Sequence, residues 1–214
     1  SLTFVGTATT VLRFGRYTLL TDPNFLHRGQ RAKLGYGLSS RRMTDPAMAI
    51  GDLPSLDAVL LSHLHGDHFD DVARRELDRS LPVLTTPSAA RKLHGWGFGS
   101  SVGLPTWESY ALGDDAERVR VTAMPGRHGP ALLHRALPPV MGSIVDLERH
   151  GRRSLRVYIT GDTLNVSELR EVRDHYPDVD VMVAHLGGTR IGGVLVTMDA
   201  VQGADLVMHQ GNEG

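Results

Sequence analysis

Near the N-terminus, Thr3-Phe4-Val5, Thr9 to Phe14 and Tyr17 to Thr21 are dense in β-branched and aromatic residues, and Gly15-Arg16 separates the last two runs. That pattern predicts strands joined by tight turns. Asp57 to Leu61 and Pro82 to Thr85 are short continuous apolar runs, as expected of strands buried on both faces. Asp70-Asp71 offers N-cap chemistry for a helix from Val72 to Arg79, and a second helix, capped near Ser88, is expected to end around Gly95-Trp96-Gly97. Candidate strands follow at Ser109 to Leu112, Glu117 to Ala123, Met141 to Leu147 and Leu155 to Thr160. Two more helices, near Val166 to His175 and from about Met198 onward, are separated by a buried-looking strand, Val179 to Ala184. Mixed strands with helices in both halves predict an α/β fold, an αββα sandwich of two mixed sheets covered by helices. Asn24 to Pro54 shows no sustained periodicity, and a connection that long is more often functional than filler, so it reads as a loop flanking a site.

Composition narrows the picture. A chain of 214 residues, 41% hydrophobic, is expected to form a single domain spanning 1–214. Its 23 Lys and Arg against 24 Asp and Glu leave a net charge of -1, so no global attraction to nucleic acid or anionic membrane is expected. The chain has no cysteine, which excludes thiolate ligands and leaves His and carboxylates as the strong ones. Without a membrane-length apolar run or a signal-peptide pattern, a cytoplasmic location is expected.

The densest chemistry is Ser62-His63-Leu64-His65-Gly66-Asp67-His68-Phe69-Asp70, directly after a predicted buried strand. While the backbone stays extended, His63 and His65 project to one side and can reach one metal ion. Gly66 is expected to adopt angles other residues resist, turning Asp67 and His68 toward a second ion. The remaining ligands must come from elsewhere. His128 in Pro125-Gly126-Arg127-His128-Gly129-Pro130 and Asp162 in Ile159-Thr160-Gly161-Asp162-Thr163 each follow a predicted strand. Taken singly, either is more often an ordinary turn residue than a ligand; they gain weight as a set.

The segment His63-Leu64-His65-Gly66-Asp67-His68 resembles the HxHxDH signature of metallo-β-lactamase-fold hydrolases. Gly6-Thr7-Ala8-Thr9, Leu20 to Phe25, Tyr158 to Thr163 and His185-Leu186-Gly187-Gly188-Thr189 are similar to the branch that contains ascorbate-phosphate lactonase and N-acylphosphatidylethanolamine phospholipase D. The resemblance implies that His63, His65 and His128 hold one ion, that Asp67 and His68 hold the other, and that Asp162 bridges them. It also implies that Asp22 supports the ligand loop from behind, although an Asp-Pro turn explains that residue equally well. A further histidine on a late strand is implied too, and His209 comes too early to match it, so the alternatives are a truncated C-terminus, substitution by His209, a ligand from a neighbouring subunit, or a weak or empty second site.

The expected function is a metal-dependent hydrolase acting on an ester, lactone or phosphodiester of a small-molecule substrate, with Asp67 orienting an attacking water activated by two divalent ions. Zn suits the His-rich set best, then Mn or Fe. His185, at the end of a strand, and His134, in the loop after His128, are candidate substrate contacts. The rival readings are an iron-dependent redox enzyme on the same fold and a noncatalytic metabolite-binding module; a homo-oligomer is compatible with any of them.

Overall fold

A computed structural model describes residues 1–35, 37–130 and 137–211. The chain divides into two compact units, Ser1–Gly103 and Leu104–Gly214. The first unit contains β1 (Leu2–Gly6), β2 (Thr9–Phe14), β3 (Tyr17–Thr21), β4 (Arg31–Gly35), β5 (Leu38–Arg41), β6 (Ala58–Leu60), α1 (Asp71–Glu76), β7 (Val83–Thr85), α2 (Pro87–Gly95) and β8 (Ser101–Gly103). Six strands form one sheet in the order β1-β2-β3-β6-β7-β8. β1, β2 and β3 pair antiparallel, whereas β3, β6, β7 and β8 run parallel. Ala58, Val59, Leu60, Val83 and Leu84 are all buried, which is why these strands read as unbroken apolar runs. Leu20, Val59, Leu61, Val83, Leu93 and Phe98 belong to the core of this unit.

Local chemistry sets the helix boundaries. The Asp70 side chain caps α1, accepting the Ala73 N–H, and the helix stops at Glu76, earlier than expected, because Leu77 leaves helical angles. α2 is capped by Thr86, two residues before the expected Ser88, with Pro87 as its first residue, where a missing N–H costs nothing. The largest departure lies in the segment expected to be a loop. β4 and β5 pair antiparallel as a hairpin, and Ile50–Asp52 form a single 3-10 turn. Its two-residue alternation is real, but the buried face offers little beyond Ala32 and the partly buried Leu34, too small an apolar signal to stand out.

The second unit contains β9 (Ser109–Gly113), β10 (Glu117–Met124), β11 (Gly142–Arg149), β12 (Arg152–Ile159), α3 (Glu168–His175), β13 (Val181–Val183), β14 (Arg190–Ile191), β15 (Val194–Leu195) and α4 (Ala200–Gly211). Its sheet runs β13-β12-β11-β10-β9, antiparallel except for the parallel β12–β13 pair. Met124, Ile144, Tyr158, Leu169, Val172 and Met198 pack together as its core. Across β10 and β11, Arg120 donates to Glu148 at 2.9 Å, while Arg156 of β12 donates to Asp146 at 2.7 Å. The expected mixed α/β class is what the chain adopts. Among the described residues, no helix is long and apolar enough to cross a membrane.

Candidate metal centre

The parallel strand β6 delivers the chain into the histidine-rich segment at its carboxyl end. Leu61 is still held there by the Leu84 carbonyl at 2.9 Å, so the loop that follows starts from a fixed base. His63, His65 and His68 are buried and Asp67 is half-buried. The extended path after Ser62 puts His63 and His65 on one side: Nε2 of His63 lies 2.9 Å from Nδ1 of His65, and the His68 ring centre is 4.2 Å from that of His63. Two nitrogens on one tetrahedral zinc ion stand about 3.3 Å apart, given bonds of about 2.0–2.1 Å. The His63–His65 spacing is within a few tenths of an ångström of that value.

Gly66 plays a different part from the one expected. Its φ is not positive; the glycine is required by close approach, since a Cβ there would lie 2.6 Å from the Lys33 carbonyl oxygen and 2.7 Å from the Lys33 nitrogen. The Gly66 N–H donates to that same carbonyl at 2.8 Å, fixing hairpin β4–β5 against the histidine-rich loop.

Asp22 sits behind the histidines. Its Oδ1 accepts from both the Ser62 N–H at 2.8 Å and the Ser62 hydroxyl at 2.9 Å, and its Oδ2 lies 3.3 Å from Nδ1 of His68. A hydroxyl has one hydrogen, and here it goes to the carboxylate, which can only accept. Ser62 Oγ is therefore left to accept from the imidazoles, with His63 Nδ1 at 3.0 Å and His68 Nδ1 at 3.2 Å. Both rings then carry their proton on Nδ1 and turn an Nε2 lone pair forward, the state a metal needs. Asp22 also has a left-handed φ of 35°, uncommon outside glycine and tolerated best by Asp and Asn. Its carbonyl accepts from the Thr9 hydroxyl at 2.6 Å and its N–H donates to Leu60 at 2.9 Å, which over-determines that conformation. Asp70 clamps the other end of the motif, accepting the Phe25 and Leu26 N–H groups; burial raises its pKa, against the pull of these donors.

The second unit has oriented groups of its own. His128, buried after β10, has Nδ1 2.9 Å from the Val196 carbonyl. A carbonyl only accepts, so Nδ1 carries the proton and Nε2 the lone pair. Asp162 follows Gly161, whose φ of 63° makes the turn after β12. Its Oδ2 accepts the Thr197 hydroxyl at 3.2 Å, and its Oδ1 lies 3.5 Å from Nδ1 of His185. His185, just past β13, is anchored through its N–H to Thr160 Oγ1 at 3.0 Å. His134 lies outside the described residues, and His209 falls within α4. Ser62, Thr197 and the Val196 carbonyl were not assigned roles from sequence. Ser62 adjoins the motif and could have been suspected; nothing local marks the other two.

Comparison with known proteins gives these geometries a context. The family described as "Beta-lactamase superfamily domain" matches residues 17–212. The UPF0173 protein YddR of Bacillus subtilis is 25% identical over 188 residues, 85% of this chain and 70% of its own length. A UPF0173 metal-dependent hydrolase of Anaeromyxobacter dehalogenans is 25% identical over 158 residues, covering 71% of this chain but 56% of the relative. In structure, a possible metal-dependent hydrolase from Veillonella parvula aligns with a TM-score of 0.78 at 23% identity, over 98% of this chain and 80% of the other.

Proposed function

Since the chain belongs to the β-lactamase superfamily and has its metallo-β-lactamase fold, we propose that it is a metal-dependent hydrolase of small-molecule esters, lactones or phosphodiesters with a dinuclear centre. The observation that carries this reading is the relay from Asp22 through Ser62 to His63 and His68, which commits both rings to the metal-binding tautomer. Metal-bound imidazoles almost always donate their other ring N–H to a carboxylate, hydroxyl or carbonyl in this way, which fixes tautomer and orientation together.

In this reading His63, His65 and His128 would hold one ion, Asp67 and His68 the other, with Asp162 contributing to both. All six ligands are imidazoles or carboxylates, a donor set that suits Zn and also accommodates Mn or Fe. When bound, the ions supply a water of lowered pKa and a Lewis-acidic position for the substrate oxygen. The chain's own groups do the positioning. Asp67 orients the attacking water as a hydrogen-bond acceptor, Thr197 holds Asp162 in one rotamer, and Val196 fixes the His128 ring. His185, beside Asp162, is a candidate substrate contact.

Elemental analysis of protein purified without a chelating column tests the centre. Near two equivalents of metal per chain, reduced in both His63→Ala and His68→Ala, are expected, together with hydrolysis of at least one ester, lactone or phosphodiester that Asp67→Ala does not catalyse. A metal-free parent, or unchanged turnover in Asp67→Ala, would overturn the assignment.

A further inference from the structure

The hairpin pressed against the ligand loop has an unusual charge. Between Asn24 and Pro54 the chain carries Arg28, Arg31, Lys33, Arg41 and Arg42 against Asp45 and Asp52, in a protein whose net charge is -1. Register concentrates these cations. Arg31 pairs with Arg41 and Lys33 with Ser39, so Arg31, Lys33, Ser39 and Arg41 share one face of the hairpin, while Ala32 and Arg42 are buried on the other. Arg31, Lys33 and Arg41 are exposed. Two arginines directly opposite each other on a two-stranded ribbon repel, and folding alone gains nothing from the arrangement. Existing partners neutralise little of it. Arg31 Nε donates to the uncharged Ser39 hydroxyl at 2.8 Å, and Lys33 Nζ makes an exposed ion pair with Asp71 at 3.0 Å. Arg41 has no ion-pair partner among the described residues.

We infer that this outer face is an oxyanion-binding arm, which holds a phosphate or carboxylate of the substrate while the adjoining loop presents the metal ligands. The inference rests on the hydrolase reading for its biological sense and narrows the substrate to an anionic one. Guanidinium forks on facing strands suit an oxyanion, because each can donate two N–H groups to two oxygens. The placement follows from the backbone: Lys33 is the residue whose carbonyl receives the Gly66 N–H, so the histidine loop runs along the edge of β4, beside this face.

The test uses the full chain stripped of metal, so that anion binding is read apart from any metal centre. Inorganic pyrophosphate and citrate are titrated calorimetrically against the parent and against Arg31→Ser/Arg41→Ser. Binding in the parent should weaken as salt is raised, and the double variant should bind about tenfold more weakly. Preference for pyrophosphate assigns the arm to phosphate, and preference for citrate assigns it to carboxylate. A second variant, Arg41→Glu, replaces the repelling pair by an attracting one, so its melting temperature should hold or rise while anion binding is lost. Equal affinity in parent and variants, or no binding of either anion by the parent, overturns the inference. The hydrolase reading fails separately, on metal content and turnover.

Discussion

The carboxylate of Asp22 and the imidazole of His68 face each other at 3.3 Å in a buried setting, with the Ser62 hydroxyl bonded to the same carboxylate and 3.2 Å from the same ring nitrogen. Replacing Asp22 by Asn keeps the size and removes the charge that holds the Nδ1 protons of His63 and His68. Metal affinity should fall about 10- to 100-fold, the usual effect of losing an outer hydrogen-bond partner. Competition with a chromophoric chelator reads this directly, and equal affinity in Asp22→Asn would deny the relay its role.

Gly66→Ala should be disproportionately damaging for so small a change. The added methyl meets Lys33 backbone atoms, which cannot rotate away as a side chain would. Overpacking of this kind costs about 1–3 kcal/mol. Loss of stability together with loss of metal in the same variant is the expected result of chemical denaturation and elemental analysis. A variant of parental stability would show that the hairpin moves away freely.

Thr197→Val removes the hydroxyl donor to Asp162 with little change of shape. One hydrogen bond to a charged group contributes about 1.5–3 kcal/mol to stability, so the melting temperature should fall by several degrees, and turnover on a responsive substrate should drop with the loosened Asp162. Unaltered kcat and metal content would remove Thr197 from the account.

Chelation should lower the melting temperature. Ions that bind the native chain alone stabilise it by about 4 kcal/mol when present at a thousand times their dissociation constant. Thermal unfolding with EDTA and after restoration of Zn measures the difference; coincident curves would mean that the histidine cluster carries no ion under those conditions.

Arg120 lowers the Glu148 pKa below its ordinary value of about 4.5, chiefly by hydrogen bonding. A depressed folded pKa means stability that is complete above the unfolded value and is lost as pH falls through the folded one. The pair is partly exposed, so the effect is small, below about 1 kcal/mol. Glu148→Gln should therefore lose less stability than the parent between pH 5 and pH 3, as read by urea midpoints. Parallel pH profiles would contradict this.

Much of the fold was legible because its strongest signals are local. β6 and β7 are buried on both faces and read as apolar runs, and the histidine segment is contiguous. Hairpin β4–β5 resembles a loop in sequence because its inward positions are nearly all small or polar, and β8 leaves no mark because Ser101-Val102-Gly103 carries little strand preference. At the centre, side chains adjoining the motif could be guessed, whereas the Val196 carbonyl that orients His128 lies 68 residues from it, where no periodicity reaches. The role expected of Gly66 failed for a related reason: a composition rule suggests an unusual φ, while the tertiary structure demands an empty space.

That empty space has an evolutionary consequence. The junction between the ligand loop and hairpin β4–β5 joins Gly66 to main-chain atoms of Lys33, so it constrains the path of the hairpin but not the identity of its outward residues. Drift at positions 31, 33, 39 and 41 can rewrite the charge offered to incoming molecules without disturbing the histidines. The charge on that face is thus free to change, whereas any side chain at position 66 meets the Lys33 backbone.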